Sequence, residues 1–357
     1  MPSASRIVIC AAGGGKTTRI VSQAFDDVAS RAALVTYTRY NEEEIKRNLY
    51  GHGPVIPPNI EVMTWFSFLL REMARPYGRA LHPHRIEGLF WVEGRSVKFI
   101  SATNIGAHYF TSDRLIYSDK IAKFICECDR ATDGAVMSRL AMRFDHVFVD
   151  EIQDMAGYDL DLLELMLKAG IRLTLVGDHR QATFKTNQSK QNSSFSGTNI
   201  IKKCRQWERA GLVMLGYERH TYRCHQLIAD LGDSFYPLEP KTQSLNKTVT
   251  GHDGIFIVPS TKVAAYVEAF APQVLRLDRK TLCNGLPAIN FGESKGRTFN
   301  RVLIFPHALA KKWIGSGDLM YVKKSLAKMY VGVTRARYSV AFVFDGRVVI
   351  PNAQSFE

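Results

Sequence analysis

Short β-branched apolar runs recur along the chain, and most are followed by a stretch with helical spacing. RIVIC (6–10), AALVTYT (32–38), NIEVMTW (59–65), FDHVFVDE (144–151) and IRLTLVGD (171–178) form a first series. GIFIVP (254–259), PAINF (287–291), RVLIF (301–305) and SVAFVFD (339–345) form a second. Alternation of this kind predicts α/β architecture, with parallel sheets covered by helices on both faces. Asn41 with Glu44 reads as a capping box opening the second helix, and VKKSLAKMYVGVTRAR (322–337) as one helix near the end. The polar stretch KTNQSKQNSSFSGTN (185–199) reads as a mobile loop near the boundary between the series. That boundary, near Gly211, gives one domain over 1–211 and a second over 212–357. Residues 76–143, mixing aromatic, basic and turn residues, read as a reduced insertion into the first.

With 357 residues and 46% hydrophobic content, two ordinary cores can be filled. The formal net charge of +13 favours a polyanionic partner, most simply nucleic acid, although a basic protein without such a partner fits the charge equally well. No apolar run approaches the ~18 residues needed to cross a bilayer, which argues against a membrane partner. Six cysteines without metal-ligand spacing point to a reduced, cytoplasmic chain. MPSASR is followed by only a short apolar run and does not read as a secretory leader.

Chemistry concentrates first in VICAAGGGKTTRI (8–20), where a strand run meets a glycine-rich loop and then a helix. Such loops aim backbone N–H groups at an anion, and the following helix adds its positive end. Ala12, Gly13, Gly14, Gly15, Lys16, Thr17 and Thr18 would hold a nucleotide, with Lys16 on the β/γ-phosphates and Thr17 on Mg²⁺. Cys10 stands where the usual pattern begins with Gly, a place that needs a small residue. A hydrolytic site also needs carboxylates at a strand end. HVFVDEIQD supplies Asp150 for the Mg²⁺ and Glu151 to polarise the attacking water.

These motifs, with those that follow, resemble superfamily 1 helicases of the UvrD/Rep type. ALVTYTRYNEEEIKRN is similar to segment Ia of that family and VMTWFSF to Ib. VDEIQD is similar to motif II, LVGDHRQATF to III, ERHTYRC to IV, FGESKGRTFNRVLIF to V and MYVGVTRAR to VI. The resemblance implies two RecA-like P-loop NTPase domains with the ATP site in the cleft between them, and ATP with Mg²⁺ as cofactors. It implies that Gln181 senses the γ-phosphate, that Arg223 and Arg335 act as arginine fingers, and that Tyr222 stacks on the adenine. For a single nucleic-acid strand it points to Tyr37, Arg39, Thr64, Phe66, Phe184, Ser294 and Lys295. Core packing explains Tyr37 and Phe66 as well, and Trp65 is left with the core.

Four departures narrow the expectation. No Gln precedes Cys10 to read the adenine edge, and Thr298 stands where the family has an acid that contacts the ribose. FKTNQ after motif III lacks the family's base-stacking Trp. The first insertion is reduced and the second is absent. The expected function is an ATP-dependent single-stranded DNA translocase or helicase, with an RNA-directed motor as another option. The alternative is an ATP-gated switch subunit that works with a protein partner such as a nuclease.

Overall fold

The computed structural model describes residues 4–357, so the first three residues of MPSASR lie outside it. The chain divides into two compact units. One comprises the chain up to Ile9 and Lys16–Tyr217; the other comprises Cys10–Gly15 and Glu218–Glu357. Each is built on a six-stranded, RecA-like α/β sheet.

In the first unit the strands lie in the spatial order Ile60–Thr64, Ala32–Thr36, His146–Val149, Arg172–Gly177, Arg6–Cys10, Met214–Glu218. The first five pair in parallel, with Val35 beside Val149, Val149 beside Leu175 and Ile9 beside Gly177. Side chains alternate between the sheet's faces. Ile7, Ile9, Ala33, Val35, Val147, Val149, Leu173 and Leu175 enter one core, whereas Ala32, Leu34, Phe148 and Val176 enter the other. Continuous apolar runs follow from burial on both faces, and each large side chain so buried contributes roughly 1.5–3 kcal/mol.

The second unit repeats the plan. Its strand order is Ala288–Asn290, Gln273–Arg276, Phe299–Phe305, Ala336–Val343, Gly254–Val258, Ala353–Ser355, all paired in parallel. Ile255, Ile257, Val302, Ile304, Val340 and Phe342 fill one face; Phe256, Val258, Leu303, Phe305, Ala341 and Val343 fill the other.

Several local expectations are corrected. The second helix runs Arg39–Tyr50 and is capped by Thr38, whose side chain accepts from Asn41 N at 3.1 Å; the Asn41–Glu44 capping box does not form. The helix starts one turn earlier than the sequence suggests, so a Thr hydroxyl takes the cap and Asn41 lies inside the first turn. Residues 322–337 are not one helix: a 3₁₀ stretch ends at Ser325, the α-helix spans Leu326–Val333, and Ala336 already begins a strand. Arg335 therefore lies in a tight turn. The segment 185–199 carries two short 3₁₀ turns and is pinned: Thr186 N donates to Asp154 O at 2.8 Å, and Asn192 Nδ2 donates to Asp161 Oδ1 at 2.8 Å.

The stretch 76–143 contains a two-stranded parallel ladder, Gly88–Phe90 with Leu115–Tyr117, and the helices Ile105–Tyr109, Ile121–Ala131 and Ala135–Arg143. Cys126 and Cys128 lie on the second of these helices, half-buried and buried.

Candidate nucleotide and nucleic-acid sites

Three adjacent strands of the first sheet end at Cys10, Val149 and Gly177. The carboxyl edge of a parallel sheet is where α/β folds collect ligand-binding groups. Here that edge gathers Lys16, Thr17, Asp150, Glu151, Asp178 and Gln181 from segments far apart in sequence.

Thr17 Oγ1 donates to Asp150 Oδ2 at 2.9 Å, and Asp150 Oδ1 accepts from Glu151 N at 2.9 Å. Burial and the neighbouring Glu151 charge push the Asp150 carboxyl well above the usual carboxylate range, against the pull of Lys16 and Thr17. Glu151 sits at φ +62, in the left-handed region that a non-glycine residue enters at a cost of about 1–2 kcal/mol. That turn aims it beside Asp150 rather than along the strand. Gln153 Nε2 donates to Glu151 Oε2, and Gln153 Oε1 accepts from Asp178 N at 3.0 Å.

Asp178 is wholly buried. Burial would raise its carboxyl, but the Arg180, Lys16 and His179 charges and the Gln181 hydrogen bond hold it at about 2. Arg180 Nε donates to Asp178 Oδ1 and Gln181 Nε2 to Asp178 Oδ2, both at 3.0 Å. Gln181 is thus oriented by a permanent carboxylate. Sequence reasoning missed Asp178, Arg180 and Gln153. The available signal was an acid closing an apolar strand, as Asp150 does.

The glycine loop is held in the second unit. Gly13 and Gly15 have φ +74 and +71. A Cβ on Gly13 would meet Arg223 Cβ at 2.5 Å and Thr221 Oγ1 at 2.9 Å. Thr221 Oγ1 donates to Ala12 O at 2.6 Å, Tyr222 N donates to Gly13 O at 3.0 Å, and Gly14 N donates to Ala11 O at 3.0 Å. Tyr222 is exposed, its ring 3.9 Å from where a Gly15 Cβ would stand. Arg223 Nη1 donates to Thr334 O at 3.2 Å. Arg335 is buried, donating from Nε to Val331 O and from Nη1 to Arg297 O, both at 3.2 Å. The loop, Thr221, Tyr222 and Arg223 are therefore brought together, and Arg223 and Arg335 both bond the 331–335 turn or its neighbour. Thr18 lies in the first turn of the helix Lys16–Asp26.

The residues expected along a nucleic-acid strand are placed less uniformly. Arg39 and Phe184 are exposed. Tyr37 is half-buried, its ring 5.9 Å from that of Phe66. Phe66 is buried, and Trp91 covers it edge-to-face at 4.8 Å. Thr64 caps the helix that starts at Trp65, accepting from Ser67 N at 3.3 Å. Trp65 is in the core, donating from Nε1 to Asp159 at 3.0 Å. In the second unit Lys295 is half-buried, whereas Ser294 is fully buried and its hydroxyl donates to Phe291 O at 2.7 Å. Ser294 thus faces the core.

Among the described residues no cluster of three or more His, Cys, Asp or Glu could hold a metal, and no helix is long and apolar enough to cross a membrane.

No curated protein matches the chain. Among solved structures, the PRRSV helicase aligns over 95% of this chain and 52% of its own at 16% identity and TM-score 0.46. Arterivirus nonstructural protein 10 (helicase) aligns over 96% and 59% at 16% identity and TM-score 0.49. The same protein in complex with DNA aligns over 96% and 61% at 15% identity and TM-score 0.49. The chain thus spans between about half and three fifths of the length of these solved chains. Residues 102–193 match the UvrD/REP helicase N-terminal domain. That segment carries Asp150, Glu151, Gln153, Asp178 and Gln181, and over it the chain is similar to that domain.

Proposed function

We propose that this chain is a nucleic-acid-stimulated ATPase that translocates on single-stranded DNA. The observation that carries the reading is the Thr17–Asp150 pair at 2.9 Å with Glu151 beside it, at the end of the strand next but one to the glycine loop.

The residues fit a Mg²⁺–nucleotide. Asp150 and Glu151 are two buried carboxyl groups side by side, and burial with mutual repulsion is what raises Asp150. A divalent cation held by Asp150 and the Thr17 hydroxyl would relieve that repulsion and neutralise phosphate charge. The chain's own groups then have defined work. Gly13 and Gly15 let the backbone curl around an anion, and Lys16 places a cation at its end. Glu151, aimed by its left-handed backbone and held by Gln153, orients a water and accepts its proton. Gln181, fixed by Asp178, hydrogen-bonds the transferring group, and Arg223 and Arg335 supply positive charge that offsets what develops on it. Tyr222 offers an exposed ring to the base.

The reading is tested by steady-state ATP turnover of Lys16→Ala and Glu151→Gln. Both should fall to background while the proteins stay folded by circular dichroism; retained turnover in either removes the assignment.

A further inference from the structure

The family resemblance leads to a base-stacking Trp after motif III, which this chain lacks, and to Phe66, which is only 4% exposed. The ring that reaches solvent beside Phe66 is Trp91, in the stretch 76–143. Of the four tryptophans, Trp65, Trp207 and Trp313 are at most 4% exposed and Trp91 is 63% exposed. Its neighbours Phe90 and Phe99 are 46% and 98% exposed. Large aromatic rings held out in water mark a contact surface.

The Trp91 backbone is fixed on both sides. Phe90 pairs with Tyr117, Ser118 N donates to Phe90 O at 2.9 Å, and Val92 N donates to Ser118 Oγ at 3.0 Å. Further on, Ser96 N and Oγ donate to Asp119 Oδ2 at 3.0 and 3.1 Å. The ring leans edge-on against Phe66, which contacts Tyr37 in turn. A side chain restrained in this way loses little entropy when it is stacked upon.

The surroundings are cationic. Arg95 and Lys98 are exposed, and the Ser96–Asp119 bonds bring Arg95 beside Lys120; the acids in this stretch are Glu93 and Asp119. Burial lowers the Lys120 ammonium, Asp119 opposes this, and Lys123 and Arg95 push it lower still. Phosphate would relieve that crowding.

We propose that Trp91, backed by Phe66, is a base-stacking platform of the first unit, with Arg95, Lys98 and Lys120 neutralising the backbone of the same single strand. The platform rests on the reading of the chain as a single-strand binder.

Intrinsic fluorescence tests it, because iodide quenches chiefly the one exposed tryptophan. A labelled oligo-dT and a matching oligo-U are titrated, with binding read independently by anisotropy of the label. At least one strand should quench the exposed tryptophan and shield it from iodide. Trp91→Ala should weaken binding roughly 5- to 100-fold, the range of a lost base stack, and Trp91→Phe only a few-fold. A wild-type complex in which the tryptophan stays open to iodide overturns the platform, and that result needs no variant. So does a folded Trp91→Ala protein with wild-type affinity. If neither strand binds the wild-type protein, the functional reading falls together with the platform.

Discussion

Gln153 and Asp178 are joined by a 3.0 Å hydrogen bond from the Asp178 main-chain N–H to the Gln153 Oε1, while the other end of the same amide donates to Glu151. One buried side chain thus ties the ends of two neighbouring strands and fixes the carboxylate proposed to handle water. Truncating a group that orients such a residue typically costs about 10- to 100-fold in activity. Gln153→Ala should lower the kcat for ATP by that factor with little change in KM, read by steady-state turnover.

Gly177 guards the same bond. A Cβ there would collide with Gln153 Oε1 and lie 2.8 Å from Ile152 Cγ2 and 3.1 Å from Ile152 N. Two of those contacts belong to Ile152, whose backbone cannot step aside. Gly177→Ala should destabilise the first unit by roughly 1–3 kcal/mol, measured by urea unfolding. It should also reproduce the Gln153→Ala loss of turnover.

Asp159 gives a pH dependence with a definite sign. Burial pushes its carboxyl up to about 6 from the ordinary 3.8, although hydrogen bonds with Thr186 and Trp65 pull the other way. Between those values the folded state holds more proton than the unfolded one, so this group's contribution to stability declines as pH rises from about 4 to about 6. Asp159→Asn should flatten that part of the stability–pH curve, measured by urea unfolding between pH 4 and pH 7. An unchanged curve would show that the carboxyl titrates normally.

Lys203, nearly buried, donates to Glu164 Oε2 at 2.6 Å, and Trp207 Nε1 donates to the same oxygen at 3.0 Å. Burial would raise the Glu164 carboxyl, but Lys168, Lys203 and Trp207 hold it down at about 2. Glu164→Gln should cost about 2 kcal/mol, since it leaves the ammonium buried without its counter-charge. Adding Lys203→Met should restore part of that loss, a coupling that a double-mutant cycle measures.

Much of this arrangement was legible before the fold. Runs such as HVFV and RLTLV are apolar at every position because both faces are covered, and the Lys16, Thr17, Asp150 and Glu151 cluster follows from two strand ends. What was not legible depended on tertiary pairing. Gln273–Arg276 is only four residues long and becomes a strand because Phe299–Phe305 and Ala288–Asn290 flank it. Arg335 read as a helix end because no local signal marks the turn at Thr334 that closes Leu326–Val333. Trp91 was not legible because its exposure, and its contact with Phe66, arise only when the stretch 76–143 folds beside the segment after Thr64.

The central claim is the coupling of ATP hydrolysis to a nucleic-acid strand, and turnover against single-stranded DNA, duplex DNA and RNA tests it most directly. The account predicts slow hydrolysis by the protein alone and a marked rise with single-stranded DNA, absent in Glu151→Gln. Equal rates with and without every nucleic acid would contradict it.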